Sequence, residues 1–118
     1  FRHQDKFSKV GGHMPALLLE LENEYKSFYR DMNDWEKYDP LYIAKHNDIS
    51  SEMKVYLDAG EKDEGRFYEG GSILHNMLKK KGVNTQNYLF PGHHNTEYVQ
   101  SNVSKYLEFY GSIWDTLI

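Results

Sequence analysis

Apolar residues recur along this chain at two spacings, and the alternation between the two sketches the fold. Phe7 to Val10 is a short alternating run that ends at Gly11-Gly12, and it predicts a strand leading into a loop. Pro15 can occupy the first position of a helix, where its missing N–H costs nothing. Leu18, Leu21, Tyr25, Phe28 and Met32 then follow at spacings of three and four, the signature of one apolar helical face. Asp31-Met32-Asn33-Asp34 breaks that helix, Asp39-Pro40 starts a short helical turn through Ala44, and residues 46–51 read as a loop. The stripe Tyr25, Phe28, Met32 and Trp35 is at helical spacing and reads as core.

The second half is more regular. Met53, Val55 and Leu57 alternate with Lys54, Tyr56 and Asp58, so residues 53–59 are expected to form a strand, followed by a polar turn over 60–65. Phe67, Leu74, Met77 and Leu78 share a helical face, and Gly82 behind three lysines marks a helix end. Thr85 to Phe90 predicts another strand, with Tyr88 and Phe90 on one face and Leu89 on the other, stopped by Pro91-Gly92. Val99, Val103, Tyr106 and Tyr110 outline a last helix ending at Gly111.

Strands alternating with helices of this length predict parallel βαβ units, hence an α/β fold of about three parallel strands. Parallel strands need cover on both faces, so a three-layer α/β/α arrangement follows. No repeat, low-complexity segment or linker divides residues 1–118, which read as one segment. Three strands leave two edges open. The first residues, Phe1 to Phe7, carry no initiator Met and resemble the tail of a helix already under way. The expectation is therefore a segment of a larger domain.

Composition narrows the function classes. A net charge of −4 over 118 residues provides no electrostatic footprint for nucleic acid or an anionic membrane. The longest apolar run, residues 16–19, is far too short to span a bilayer. With no cysteine there is no thiol nucleophile and no thiolate zinc site. His93 and His94 can also be read as two metal ligands, but adjacent histidines point apart on extended backbone and no other His, Asp or Glu has ligand spacing, so no metal is expected.

In open parallel sheets the ligand gathers at the carboxyl ends of the strands. Gly11, Gly12 and His13 follow the first strand, Glu61, Asp63 and Glu64 the second, and Gly92, His93, His94 and Asn95 the third. A carboxylate after one strand and a histidine after its neighbour meet at the top of the sheet. There the acid can hold the imidazole in one tautomer while the other ring nitrogen works as a general base. The residues also admit plainer readings. Asp63 is part of a charged turn of the kind usually solvated, and His93-His94 can be a helix start with Asn95 as its cap. His13 reads as a filler of its strand end.

Residues 55–64, the following helix, and Tyr88-Leu89-Phe90-Pro91-Gly92-His93-His94-Asn95 resemble the C-terminal end of an α/β-hydrolase. The nearest pattern is that of the esterases that include enterochelin-esterase-like proteins, esterase D and feruloyl or acetyl-xylan esterases. The stretch Phe1 to Pro15 and the segment Asp39-Pro40-Leu41 fit the same pattern. The resemblance implies a serine esterase that cleaves carboxylic esters through an acyl-enzyme, with Asp63 as the triad acid and His94 as the triad histidine. Glu64 is the fallback acid, and His93 stands where the family often has Gly, which makes it the alternative histidine. The order acid-then-histidine agrees with that of α/β-hydrolases.

The third member is missing from the sequence. A nucleophile elbow needs Gly-x-Ser-x-Gly between a strand and a helix. Gly70-Gly71-Ser72-Ile73-Leu74 comes near, lacks the final glycine and lies in a predicted helix. The expectation is a C-terminal segment that is inactive alone and whose open sheet edge and uncovered face associate with the N-terminal half of the same enzyme or with another copy of the chain. The competing expectation is a non-catalytic α/β binding or interaction domain with a hydrolase-like end.

Overall fold

A computed structural model describes residues 1–18 and 29–111. Three strands, β1 (Lys9–His13), β2 (Lys54–Gly60) and β3 (Asn84–Phe90), form one parallel sheet in the order β1-β2-β3. Four helices are described: α1 (Met32–Tyr38), α2 (Pro40–His46), α3 (Phe67–Lys80) and α4 (Thr96–Gly111). The expected α/β arrangement is therefore observed, with β2 between its neighbours and covered on both faces.

The two faces of β2 differ in chemistry. Val55 and Leu57 point into an aliphatic core with Leu41, Ile43 and Ala44 from α2 and Leu74 and Leu78 from α3. Tyr56, on the opposite face, packs with Tyr106 and Phe109 of α4. The period-two alternation of a strand sends one residue set to each helix layer.

Several boundaries differ from expectation. Gly11, Gly12 and His13 lie inside β1, not in a loop after it, and Phe7 is outside the strand and exposed. The pairing reaches that far because Val10, Gly11, Gly12 and His13 stay in register with residues 55–58 of β2. The residues at 31–34 do not simply break a helix; they start one. Asp31 is the N-cap of α1, its Oδ1 accepting from the Asp34 N–H at 2.8 Å. Met32 and Trp35 are not core, since α1 buries no residue. The remainder of the helix expected after Pro15, with Leu21, Tyr25 and Phe28, falls outside the described residues. Residues 15–18 are not helical.

Asp39 joins α1 to α2. Its N–H closes on the Trp35 carbonyl, and its buried carboxylate accepts from the N–H groups of Leu41 and Tyr42. Burial pushes that carboxyl up from its ordinary value, against the opposing pull of the two backbone donors.

The end of α3 is as expected. Gly82 takes φ +77°, a left-handed residue behind the C-cap Lys81. The face of α4 is not. Its buried residues are Tyr98, Asn102, Tyr106 and Phe109, while Val103 and Tyr110 are each 40% exposed. The large aromatic surfaces of Tyr98, Tyr106 and Phe109 outweigh the valines, and the helix turns accordingly.

One contact decides how the sheet top is built. Gly60 pairs with Phe90 at the end of the β2–β3 ladder, and the chain after β3 folds over it. A Cβ on Gly60 would stand 2.3 Å from the Gly92 carbonyl oxygen. The obstacle is backbone, so it cannot swing aside. Gly60→Ala is expected to cost about 1–3 kcal/mol of stability, the range for overpacking a tight site. Urea unfolding followed by circular dichroism measures it, and an unchanged midpoint would show that the two turns are free to part.

Candidate active site

The turn after β2 is built around one carboxylate. The Asp63 N–H donates to the Gly60 carbonyl and the Asp63 carbonyl accepts from Arg66 N–H, each at 3.1 Å. Asp63 Oδ1 accepts from the Gly65 N–H at 2.8 Å, an Asx-turn that fixes the side chain against its own backbone. Arg66 closes the turn in the left-handed region at φ 55° and starts α3. The Asp63 side chain is fully buried, which overturns the solvated-turn reading.

The loop after β3 is locked to that turn. Glu61 N–H donates to the Phe90 carbonyl at 2.8 Å and Lys62 N–H to the Gly92 carbonyl at 2.9 Å. Asn95 then caps α4, its Oδ1 accepting from Tyr98 N–H at 3.0 Å. The capped helix start and the acid–histidine pair therefore coexist, because Asn95 caps while His94 turns to the acid.

Asp63 Oδ2 stands 2.8 Å from His94 Nδ1. The acid is withdrawn from water, and the imidazole is 40% exposed, its ring edge against Phe67 at 5.3 Å between centroids. With Oδ1 taken by a backbone donor, Oδ2 is left to accept from Nδ1–H, which sets the proton on Nδ1 and leaves Nε2 with its lone pair. That is the arrangement of a general base held by an acid.

A second pair runs alongside. His93 Nδ1 lies 2.5 Å from Glu64 Oε1, with both side chains more than half exposed. The Glu64 carboxyl is held below its ordinary value, first by its own backbone N–H and next by the hydrogen bond to His93. The sequence-level alternatives thus form their own pair and do not compete for the buried one.

Ser72 lies within α3, preceded by no strand, and its Oγ accepts from Asn87 Nδ2 at 3.4 Å. It is not a nucleophile elbow. Among the described residues no group of three or more His, Cys, Asp or Glu is placed to hold a metal ion. A groove of about 440 Å³ opens between β3 and α4, floored by Tyr56 and Phe109, and neither Asp63 nor His94 lines it.

One buried group escaped the sequence reading. Asp58, on the α4 side of β2, is 1% exposed, and His13, Tyr56, Tyr98 and Tyr106 surround it. The available signal was an acid inside an apolar strand that must be covered on both faces.

Comparison with known proteins finds structural likeness to several solved chains. The chain superposes on a structure described as a ferulic acid esterase with a TM-score of 0.66 and 20% sequence identity. The match covers 92% of this chain and 42% of that one. This chain therefore spans about two-fifths of the protein it resembles, and the likeness establishes a shared α/β fold. No family model matches the chain, and no curated protein matches its sequence.

The exposed pair supplies a pH test. A carboxyl whose pKa is lowered on folding adds stability above its unfolded value and loses it as pH falls through the folded value. Glu64→Gln is therefore expected to lower the thermal midpoint at neutral pH by a small but measurable amount, since exposed pairs contribute little, and to lose that difference on acidification. It should flatten the decline on acidification below about pH 4.3. Thermal unfolding over a pH series checks this. An acid limb as steep as the wild type's would mean that Glu64 is not held in its ionised form.

Proposed function

We propose that this chain supplies the acid and the histidine of a serine esterase. Asp63 orients and charges against His94, and His94 Nε2 takes the proton from a serine hydroxyl as it attacks an ester carbonyl. The same imidazole returns the proton to the leaving alcohol, and a water then repeats the cycle on the acyl-enzyme. The observation that carries this reading is the Asp63 Oδ2 to His94 Nδ1 contact at 2.8 Å, with the acid buried and the imidazole open to solvent. The fold shared with an esterase supports it, as does the position of both residues at the carboxyl ends of adjacent parallel strands. His93 and Glu64 are not part of the reaction on this reading.

The serine belongs to a part of the enzyme outside these 118 residues, because the sequence holds no Gly-x-Ser-x-Gly. On this reading the chain alone is inactive; the N-terminal half of the same enzyme supplies the serine, and the open sheet edge pairs with that half or with another copy. Its substrate is an ester of a small molecule or a carbohydrate, without a metal or organic cofactor. Among the described residues no helix is long and apolar enough to cross a membrane.

The test is the coding sequence ahead of Phe1, followed by assay of the encoded protein with a short acyl nitrophenyl ester. A Gly-x-Ser-x-Gly motif should precede Phe1. His94→Ala should lower kcat by at least about 10³-fold, and Asp63→Asn, which favours the wrong tautomer, by up to about 10⁴-fold. His93→Ala should leave kcat within a few-fold. Activity that survives His94→Ala would remove His94 from the reaction. Absence of both the motif and the activity would favour a binding domain that kept the hydrolase-like end.

A further inference from the structure

We propose that Phe67 is a positioning residue for His94: its ring fixes the imidazole against Asp63 and keeps water from the bond between them. The proposal rests on the acid–histidine reading of Asp63 and His94.

The side chains of the acid turn do not cover its carboxylate. Glu61, Lys62, Glu64, Gly65 and Arg66 are all exposed, yet the Asp63 side chain among them has no exposed surface. Its cover comes from the backbone of the turn and from what packs on it. His94 supplies one part through Nδ1, but a polar ring that is itself 40% exposed gives water a way in along its edge.

Phe67, the first residue of α3, packs at that place. Its half-buried ring takes the space that a side chain at position 65 would fill. A Cβ on Gly65 would stand 2.8 Å from Phe67 Cε2 and 2.9 Å from Cζ. Gly65 is the residue whose N–H donates to Asp63 Oδ1. The same ring meets the His94 imidazole at 5.3 Å between centroids and 68° between planes, an edge-to-face contact. One apolar ring thus touches both the residue that holds Oδ1 and the residue that holds Oδ2. The contacts close a circuit from Asp63 to Gly65, to Phe67, to His94 and back to Asp63.

Two effects follow from that circuit. An imidazole held only through Nδ1 can pivot on its one hydrogen bond, and a second contact set at an angle removes that freedom. Apolar cover beside a charge-assisted hydrogen bond also lowers the local dielectric and strengthens the bond. Gly65 serves the packing. Among the described glycines only Gly82 and Gly92 have positive φ, so alanine at 65 meets no left-handed strain and still donates its N–H to Asp63. What it disturbs is the Phe67 ring.

The measurement is the ring ¹⁵N shifts of His94 in the full-length protein, which report the nitrogen carrying the proton, with ester hydrolysis alongside. Wild type should hold the Nδ1–H tautomer. Phe67→Ala should give a mixture of tautomers and lower kcat by up to about 100-fold, with KM little changed. Phe67→Met, apolar and long enough to cover the pair, should keep the tautomer and most of kcat. Gly65→Ala should lower kcat while Phe67 is present and have no further effect in the Phe67→Ala background.

A His94 ring that stays locked in Phe67→Ala overturns the proposal, and so does a loss confined to KM, which would make Phe67 a wall of the substrate pocket. Phe67→Met with the same tautomer mixture as Phe67→Ala overturns it too, as does Gly65→Ala that costs as much without the ring as with it. Mixed tautomers in a wild type whose hydrolysis still requires His94 defeat the proposal alone. A locked tautomer in wild type without ester hydrolysis contradicts the esterase reading and leaves the positioning claim to the ¹⁵N shifts.

Discussion

The site depends on the parallel pairing of β2 with β3, in register from Lys54 opposite Asn84 to Gly60 opposite Phe90. Because the two strands end together, the turn after one and the loop after the other leave the sheet side by side. Gly60 then lets the Gly92 carbonyl come within a distance that any side chain would forbid, and the Lys62 N–H donates a hydrogen bond to it. A slip of one residue would turn Asp58 into the aliphatic layer and carry the acid turn away from the histidine. Register, glycine and hydrogen bond thus specify one another, and the acid–histidine pair is their consequence.

The two layers about β2 do different work. The aliphatic layer under α3 and α2 supplies burial, with Val55, Ala44 and Leu78 fully enclosed. The layer under α4 is aromatic and polar, a carboxylate among phenols and an imidazole. Such an arrangement is a poor source of stability, since a buried charge gains little net energy from its partners. What it specifies is how α4 packs on the Tyr56 face of β2. Asp63 shows the same principle at smaller scale: its carboxylate is buried, yet both oxygens have assigned donors.

Much of this was legible in the sequence. The strands at β2 and β3 followed from alternation, α3 from its three-and-four spacing and Gly82, and the parallel sheet from the order of elements. Asp63, Glu64, His93 and His94 were identified because polar residues after strands stand out against apolar runs. Which acid meets which imidazole came only from the family resemblance, which paired Asp63 with His94; nothing in Asp63-Glu64 or His93-His94 says so by itself, and the physical reason is the Asx-turn and the burial of Asp63. The face of α4 was misread for a related reason. Val99 and Val103 mark an apolar stripe, but tyrosines hide their hydroxyls where a buried carboxylate waits, and a one-dimensional pattern does not show what lies opposite. Asp58 was passed over because its alternation with Leu57 served only to mark a strand, and the candidate acids were sought after the strand ends, although a parallel strand covered on both faces buries such an acid.

The account stands on Asp63 and His94 acting as one unit. The most direct measurement is a double-mutant cycle on ester hydrolysis by the full-length protein, with Asp63→Asn, His94→Gln and both together. Residues that work through a single proton lose their function together, so the double variant should be no slower than His94→Gln alone. Costs that add, each variant slowing hydrolysis independently of the other, would contradict the account.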